Sequence, residues 1–288
     1  MVELPIVAVL RQPPPLIVEQ HSSGWLELHL NRPEKLNALS SELVDLLAEQ
    51  VSAACSPEVC GVLLTATPGR AFCAGGDIRQ VASDVTSGPE FLRKEYSLML
   101  ALHEIRQEKP LVSLADGIIF GAGGGLFMAA GTRIVTVDSS FSMPEIALGI
   151  IPDCGATDWL SGDYMPRYLG QWAALTGARL ASPMMGATGL ATHMVLGGDK
   201  DQTRASVQEL RARLVACPDA SAVATALHHE EVTCRAVAER VGAVTFTALE
   251  HAANRAFGPG LDGLDERLMA MENVAKAAAD ETLNGVGE

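Results

Sequence analysis

The sequence predicts an α/β fold with a strand-and-helix body followed by a helical C-terminal region. Three observations predict it. Apolar runs short enough for single strands recur at 16–20, 25–30, 61–66, 112–116 and 133–138. Glycine-rich connections at 67–77 and 117–125 join such runs to helical segments. From residue 157 onward strand signals nearly vanish and apolar residues recur at helical spacing. The expected division is a core over 1–196 and a helical region over 197–288.

The elements follow in order. LIVEQ and WLELHL form a hairpin around His21-Ser22-Ser23-Gly24, and Trp25, Glu27 and His29 alternate with Leu26, Leu28 and Leu30 as in a half-buried strand. A helix over about 40–54 has Leu43, Leu46, Leu47, Val51 and Ala54 on one face and a serine cap. GVLLTA is an apolar strand, and 67–77 reads as a loop. A helix over 89–107 leads to the buried strand VSLAD, then 117–125 reads as a glycine-rich loop entering a short helix, and RIVTVD is another strand. Helices are expected over 206–216, 220–231, 234–257 and 264–281.

Composition narrows the function. The 288 residues are 48% apolar, enough for a substantial core. Acidic residues outnumber basic ones 35 to 21, a formal net charge of −14, which argues against nucleic acid and anionic membrane as partners. The longest uncharged apolar-rich run, 117–132, is too short for the ~20 residues of a spanning helix. Six scattered cysteines without a CxxC read as reduced, buried thiols of an intracellular protein. The seven histidines form no metal spacing.

Three segments carry chemistry. In Ala71-Phe-Cys-Ala-Gly-Gly-Asp-Ile78, paired glycines let backbone N–H groups face a ligand, or make an ordinary tight turn. Gly117-Ile-Ile-Phe-Gly-Ala-Gly-Gly-Gly125 opens a helix, a place suited to an oxyanion or simply to close packing. It is not a Walker motif, and Leu126 stands where a dinucleotide fingerprint needs its third glycine. In Met143-Pro-Glu145 and Ile151-Pro-Asp153 a carboxylate follows proline in apolar surroundings, a setting for acid, base or nucleophilic work. The plainer alternative is a helix cap for Asp153 and a salt-bridged loop for Glu145.

These segments, with Asn31-Arg-Pro-Glu-Lys-Leu-Asn-Ala-Leu39, resemble the enoyl-CoA hydratase/isomerase (crotonase) superfamily over about 16–196. The resemblance implies a crotonase-like spiral of ββα repeats with a C-terminal helical region. It implies an oxyanion hole from the N–H groups of Gly76 and Ala122, for the thioester carbonyl of an acyl-CoA. Most members have glycine where this chain has Ala122, but the backbone donor survives. The adenine and phosphate end of CoA would lie near Lys35, Leu36, Ala38, Ala74 and Ile78, and Asp77, beside them, and Gly123, in the 117–125 loop, would also bind the substrate. Arg32, Lys35, Arg70 and Arg79 against Glu34 and Asp77 make those loops locally net +2.

The hydratases carry a glutamate where this chain has Gly125. Together with Phe91-x-Arg93-x-Glu95-Tyr96 upstream, the pair Glu145 and Asp153 resembles the 3-hydroxyisobutyryl-CoA hydrolase branch. By that resemblance Glu145 attacks the thioester or activates water, Asp153 orients the 3-hydroxyl or assists proton transfer, and Glu95 lines the acyl pocket. The alternatives are an isomerase or hydratase-type enzyme and a CoA-thioester-binding protein with little catalysis. CoA is expected only as part of the substrate, with no resident cofactor or metal. The partner expected is a further copy of the chain, as a trimer or hexamer. The compartment expected is mitochondrial in a eukaryote and cytoplasmic in a bacterium.

Overall fold

The computed structural model describes residues 13–83, 86–161, 164–165, 167–196, 199–228 and 232–233. The helices expected over 234–257 and 264–281 lie outside the described residues, as do Cys234, His229 and His251.

The chain opens with the expected hairpin, β1 (Leu16–Gln20) and β2 (Trp25–Leu30). Helix α1 (Ser41–Ala53) follows, capped by the Ser40 side chain, which accepts the Leu43 N–H. Then β3 (Gly61–Ala66), β4 (Ala71–Cys73), α2 (Ile78–Ser83) and α3 (Gly88–Glu108) complete one turn. The next turn is β5 (Leu111–Ala115), β6 (Ile118–Phe120) and α4 (Ala122–Ala129). The third begins with β7 (Thr132–Thr136) and β8 (Ser140–Ser142) and continues through the short helices α5 (Ala156–Trp159), α6 (Arg167–Thr176) and α7 (Ser182–Ala187). Each turn sends its first strand to a large sheet and its second to a small one. The large sheet runs β1-β2-β3-β5-β7 and continues to β10 (His193–Val195) and β11 (Val232–Thr233). The small sheet runs β4-β6-β8 and ends at β9 (Leu180–Ala181). Pairing between successive turns of the spiral is parallel, whereas the hairpin at one edge, β10–β11 at the other and β8–β9 in the small sheet are antiparallel. This is an α/β spiral of ββα turns.

Several expectations need correction. The segments 67–77 and 117–125 are not loops throughout, because β4 and β6 lie inside them. Both strands, and β8, are three residues long. Such strands show no alternation; the hydrogen bonds of the neighbouring turn define them. The same holds for β9, β10 and β11 beyond residue 157.

The outer face of β2 is also not half-solvated, since Trp25 and Glu27 are both fully buried. Helices α8 (Lys200–Leu214) and α9 (Ala220–His228) cover that face, with Leu210, Leu214, Cys217, Val223 and Leu227 packed near Trp25. Glu27 there takes hydrogen bonds from His21 Nε2 at 3.0 Å and from Arg211 Nε, with His29 Nε2 at 3.2 Å. Burial pushes its carboxyl up, yet the bonds from His29, Arg211 and His21 outweigh that and hold it at about 2. Among the described cysteines Cys73, Cys154 and Cys217 are buried, but Cys55 is exposed and Cys60 half-buried, because they lie on the turn after α1.

Candidate active site

The site begins with an asparagine. Asn37 is fully buried in the left-handed region (φ 52°), takes the Arg32 N–H on Oδ1 at 2.8 Å and donates from Nδ2 to the Ala71 carbonyl at 2.8 Å. This pins the 31–39 loop to β4. The two loops then bond directly: Ala74 N–H to Leu36 O at 3.0 Å, Leu39 N–H to Gly75 O at 2.8 Å and Asp77 N–H to Leu39 O at 2.8 Å. Because Leu39 donates to the Gly75 carbonyl and accepts from the Asp77 N–H, the Gly76 N–H between them points away, and it has no partner among the described residues.

The second donor is the first residue of α4. Gly121 caps this helix at φ 54°, and a Cβ there would stand 2.9 Å from Glu145 Oε1, so only glycine fits. Ala122 follows at the first helical position, where the N–H has no intrahelical acceptor, and it too lacks a partner among the described residues. A Cβ on Gly75 would lie 3.4 Å from the Ala122 nitrogen, so the two loops are adjacent. The helix can approach β4 this closely because Gly123 faces the Cys73 carbonyl, with its Cβ position only 2.2 Å away. Gly123 thus has a packing role here.

Three carboxylates converge on this place. Glu145 starts a 3-10 turn after Pro144 and is 6% exposed; its Oε2 is buried without a hydrogen bond. Glu95 comes from the apolar stripe of α3 that also holds Phe91 and Met99. It is 2% exposed, its Oε1 lies 3.6 Å from the Cβ position of Gly76, and that oxygen is likewise unpartnered. Asp153 accepts the Tyr96 phenol on Oδ2 at 2.7 Å. Burial, and next the Asp153 charge, push the Glu95 carboxyl up to about 7. Burial, with Asp153 adding to it, brings Glu145 to about 7 as well. Burial and the neighbouring carboxylates also raise the Cys154 thiol, which donates to Glu95 Oε2 at 3.7 Å.

The plainer alternatives for the two acids do not hold. Glu145 has no salt bridge among the described residues, and the Asp153 carboxylate meets Tyr96 instead of capping the next helix. Position 125 is closed to a further carboxylate: a Cβ there would come within 2.7 Å of Cys154 Cβ and 3.2 Å of Met99 Sδ. Beyond this contact lies a cavity of about 640 Å³, walled by α3, the end of α4 and residues 151–159, with Tyr96, Gly125 and Asp153 on its near side.

The loops expected to meet CoA form one rim. Lys35 and Ile78 are exposed there, and Leu36, Ala38 and Ala74 are half-buried. Asp77 faces Arg32 at 3.0 Å, so these two charges neutralise each other and leave Lys35, Arg70 and Arg79 as the exposed cations. Among the described residues, two trios of potential metal ligands bring their atoms within 4.8 Å, Glu95–Asp153–Cys154 and Glu19–His21–Glu27. In the second, Arg211 already occupies both carboxylates. The sequence named Tyr96 only as the last residue of the Phe91-x-Arg93-x-Glu95-Tyr96 resemblance and gave neither it nor Cys154 a role of its own. The signal available for Tyr96 was its place beside Glu95, a charged residue in an otherwise apolar helical stripe.

The sequence matches the family described as Enoyl-CoA hydratase/isomerase over residues 26–286. Curated relatives include a probable 3-hydroxyisobutyryl-CoA hydrolase 3 of Arabidopsis thaliana, 36% identical over 74% of this chain and 55% of that protein. Another is the 3-hydroxyisobutyryl-CoA hydrolase, mitochondrial, of Gallus gallus, 36% identical over 63% of this chain and 48% of that protein. The chain thus spans about half the length of the curated relatives it matches. Among solved structures, a carnitinyl-CoA dehydratase from Mycobacterium thermoresistibile superposes with a TM-score of 0.75 at 27% identity, over 93% of this chain and 74% of that one. An enoyl-CoA hydratase from Rhodobacter sphaeroides 2.4.1 gives 0.64 at 26% identity, over 92% and 85%. With the ββα spiral and the facing Gly76 and Ala122 loops, these matches establish that the chain belongs to the enoyl-CoA hydratase/isomerase family, the crotonase superfamily.

Proposed function

We propose that this chain is an acyl-CoA thioester hydrolase of the 3-hydroxyisobutyryl-CoA hydrolase type. The observation that carries the reading is the closed space at Gly125. Adding water across a double bond with two carboxylates needs a side chain there, and Cys154 and Met99 fill that space. Glu145 remains beside the two unpartnered N–H donors, with Asp153 and Glu95 next to it.

The chemistry follows from charge. Attack on a thioester carbonyl moves an electron pair onto its oxygen, and the Gly76 and Ala122 N–H groups donate to that oxyanion. Glu145 in its ionised form supplies the attack, either directly at the carbonyl carbon or by taking a proton from water that attacks. Collapse of the tetrahedral species expels CoA as thiolate, which takes up a proton. On the direct route, water then opens the resulting acyl–glutamate anhydride. Asp153 accepts the substrate's 3-hydroxyl. The CoA nucleotide lies along the 35–38 and 74–78 rim, with Lys35 nearby. The names of the curated relatives support this substrate class.

One observation favours a second reading. A buried carboxyl held near 7 also suits a proton shuttle, as an enoyl-CoA isomerase needs. Thiol release across a panel of acyl-CoAs separates the two. Release from 3-hydroxyisobutyryl-CoA supports the hydrolase. A double-bond shift in 3-enoyl-CoA without thiol release supports the isomerase, and tight binding with neither reaction removes both. The reading includes a homo-oligomer, trimer or hexamer, which light scattering of the purified chain would show.

A further inference from the structure

We infer that Tyr96 is the positioning residue for Asp153: its phenol holds one carboxylate oxygen so that the other faces the substrate's 3-hydroxyl. The inference rests on the hydrolase reading of the same site. Asp153 lies in the stretch between the 3-10 turn at Glu145 and α5 (Ala156–Trp159), outside any helix or strand. It lies between Ile151, which is 76% exposed, and Cys154, which has a left-handed φ of 50°. The turn itself is held by its main chain, where Asp153 O accepts the Ala156 N–H at 2.8 Å. The side chain is therefore not needed to keep the turn folded, and within the turn only the Cys154 thiol lies against it.

The charges around it would turn it the wrong way. Glu95 from α3 and Glu145 from the 3-10 turn face it from the reacting side with like charge. On the other side His103 and Arg106 of α3 and Asp158 of α5 line the 640 Å³ cavity that Asp153 borders. Without a tether, repulsion from the two carboxylates favours a turn of Asp153 toward the cavity. Tyr96 opposes this. It stands on a rigid helix, one residue after Glu95, and its O–H donates to Oδ2 at 2.7 Å. The Cys154 thiol, from the same loop, also lies against the Asp153 carboxylate, but its hydrogen is directed to Glu95 Oε2. Tyr96 is 41% exposed, so core packing does not account for so large a ring at that place.

The test compares two thioesters that differ only in the hydroxyl. In Tyr96→Phe, kcat/KM for 3-hydroxyisobutyryl-CoA should fall about tenfold further than for isobutyryl-CoA, as loss of one hydrogen bond to a charged group implies. Asp153→Asn should shrink the same ratio, and Tyr96→Phe/Asp153→Asn should shrink it no further than Asp153→Asn alone. An equal fall for both thioesters would mean that the ring only packs, and additive effects would mean that it acts without Asp153. Either result overturns the inference and leaves the hydrolase reading standing. A wild-type chain that releases thiol from neither thioester overturns the hydrolase reading, and the inference with it.

Discussion

Glu27 and Glu145 are the same residue type, each withdrawn from water, on opposite sides of the large sheet. Glu27 is fully buried under α8 and meets His21, His29 and Arg211. Glu145 is 6% exposed and keeps one oxygen without any partner. The first is held at about 2 and the second at about 7. Burial pushes both upward; what differs is whether cations and donors answer it. A partnered buried carboxylate ties a helix to a sheet. An unpartnered one, beside two unused N–H groups and a second carboxylate with one unpartnered oxygen, is an expense to the fold that makes sense only when a ligand completes it.

The sharpest break of this comparison is Glu145→Gln. It should lower thiol release by on the order of 10³-fold or more, since the neutral amide can neither attack nor take a proton. In the unaltered chain the rate should climb as pH rises through about 7, where Glu145 ionises, and a pH–rate profile checks this. Glu27→Gln should leave that profile in place.

The next effect tests the donors. Ala122→Pro removes one N–H at the first helical position, where proline is tolerated. It should lower kcat by about 10²–10³-fold, equivalent to about 2.7–4 kcal/mol, in steady-state assays.

Stability should move in opposite directions at the two glutamates. Glu27→Gln removes the buried charge that His21, His29 and Arg211 meet, leaves Arg211 with Glu19 alone, and should destabilise by about 3 kcal/mol in denaturant unfolding at pH 7. The stability Glu27 gives is present above the ordinary glutamate range and lost as pH falls through about 2. Glu145 has the reverse sign: its raised carboxyl favours folding while neutral, and that advantage is lost as pH rises from about 4.5 through about 7. Glu145→Gln should therefore stabilise at pH 8, by on the order of 1–3 kcal/mol, and not at pH 4.

The smallest effect sharpens the picture at position 125. Gly125→Glu should not create hydratase activity and should destabilise by about 1–3 kcal/mol, because its Cβ meets Cys154. Adding Cys154→Gly should recover part of that stability, read as a rise in Tm.

The legible parts were those with local signals. The hairpin, α1 with its Ser40 cap, α3 and the buried strands show in apolar spacing and cap chemistry. The glycine pairs showed where the backbone would come close, and Glu145 and Asp153 stood out as carboxylates after proline. The three-residue strands β4, β6 and β8 were not legible, because only the adjoining turn of the spiral supplies their bonds. Nor was the covered face of β2. Its alternation looked half-solvated until Arg211, distant in sequence, met Glu27.

By itself the sequence determined the α/β class, the acidic balance and which residue types were available to the chemistry. It placed Gly125 where a carboxylate would otherwise stand. Only the tertiary structure decided what those residues became. It left the Gly76 and Ala122 N–H groups unused, filled the space at Gly125 with Cys154, set Tyr96 on Asp153, and gave Glu27 the partners it denied Glu145. The physical reason is that spacing along a chain fixes neighbours within a helix or strand. A buried charge is governed by what arrives from elsewhere to meet it.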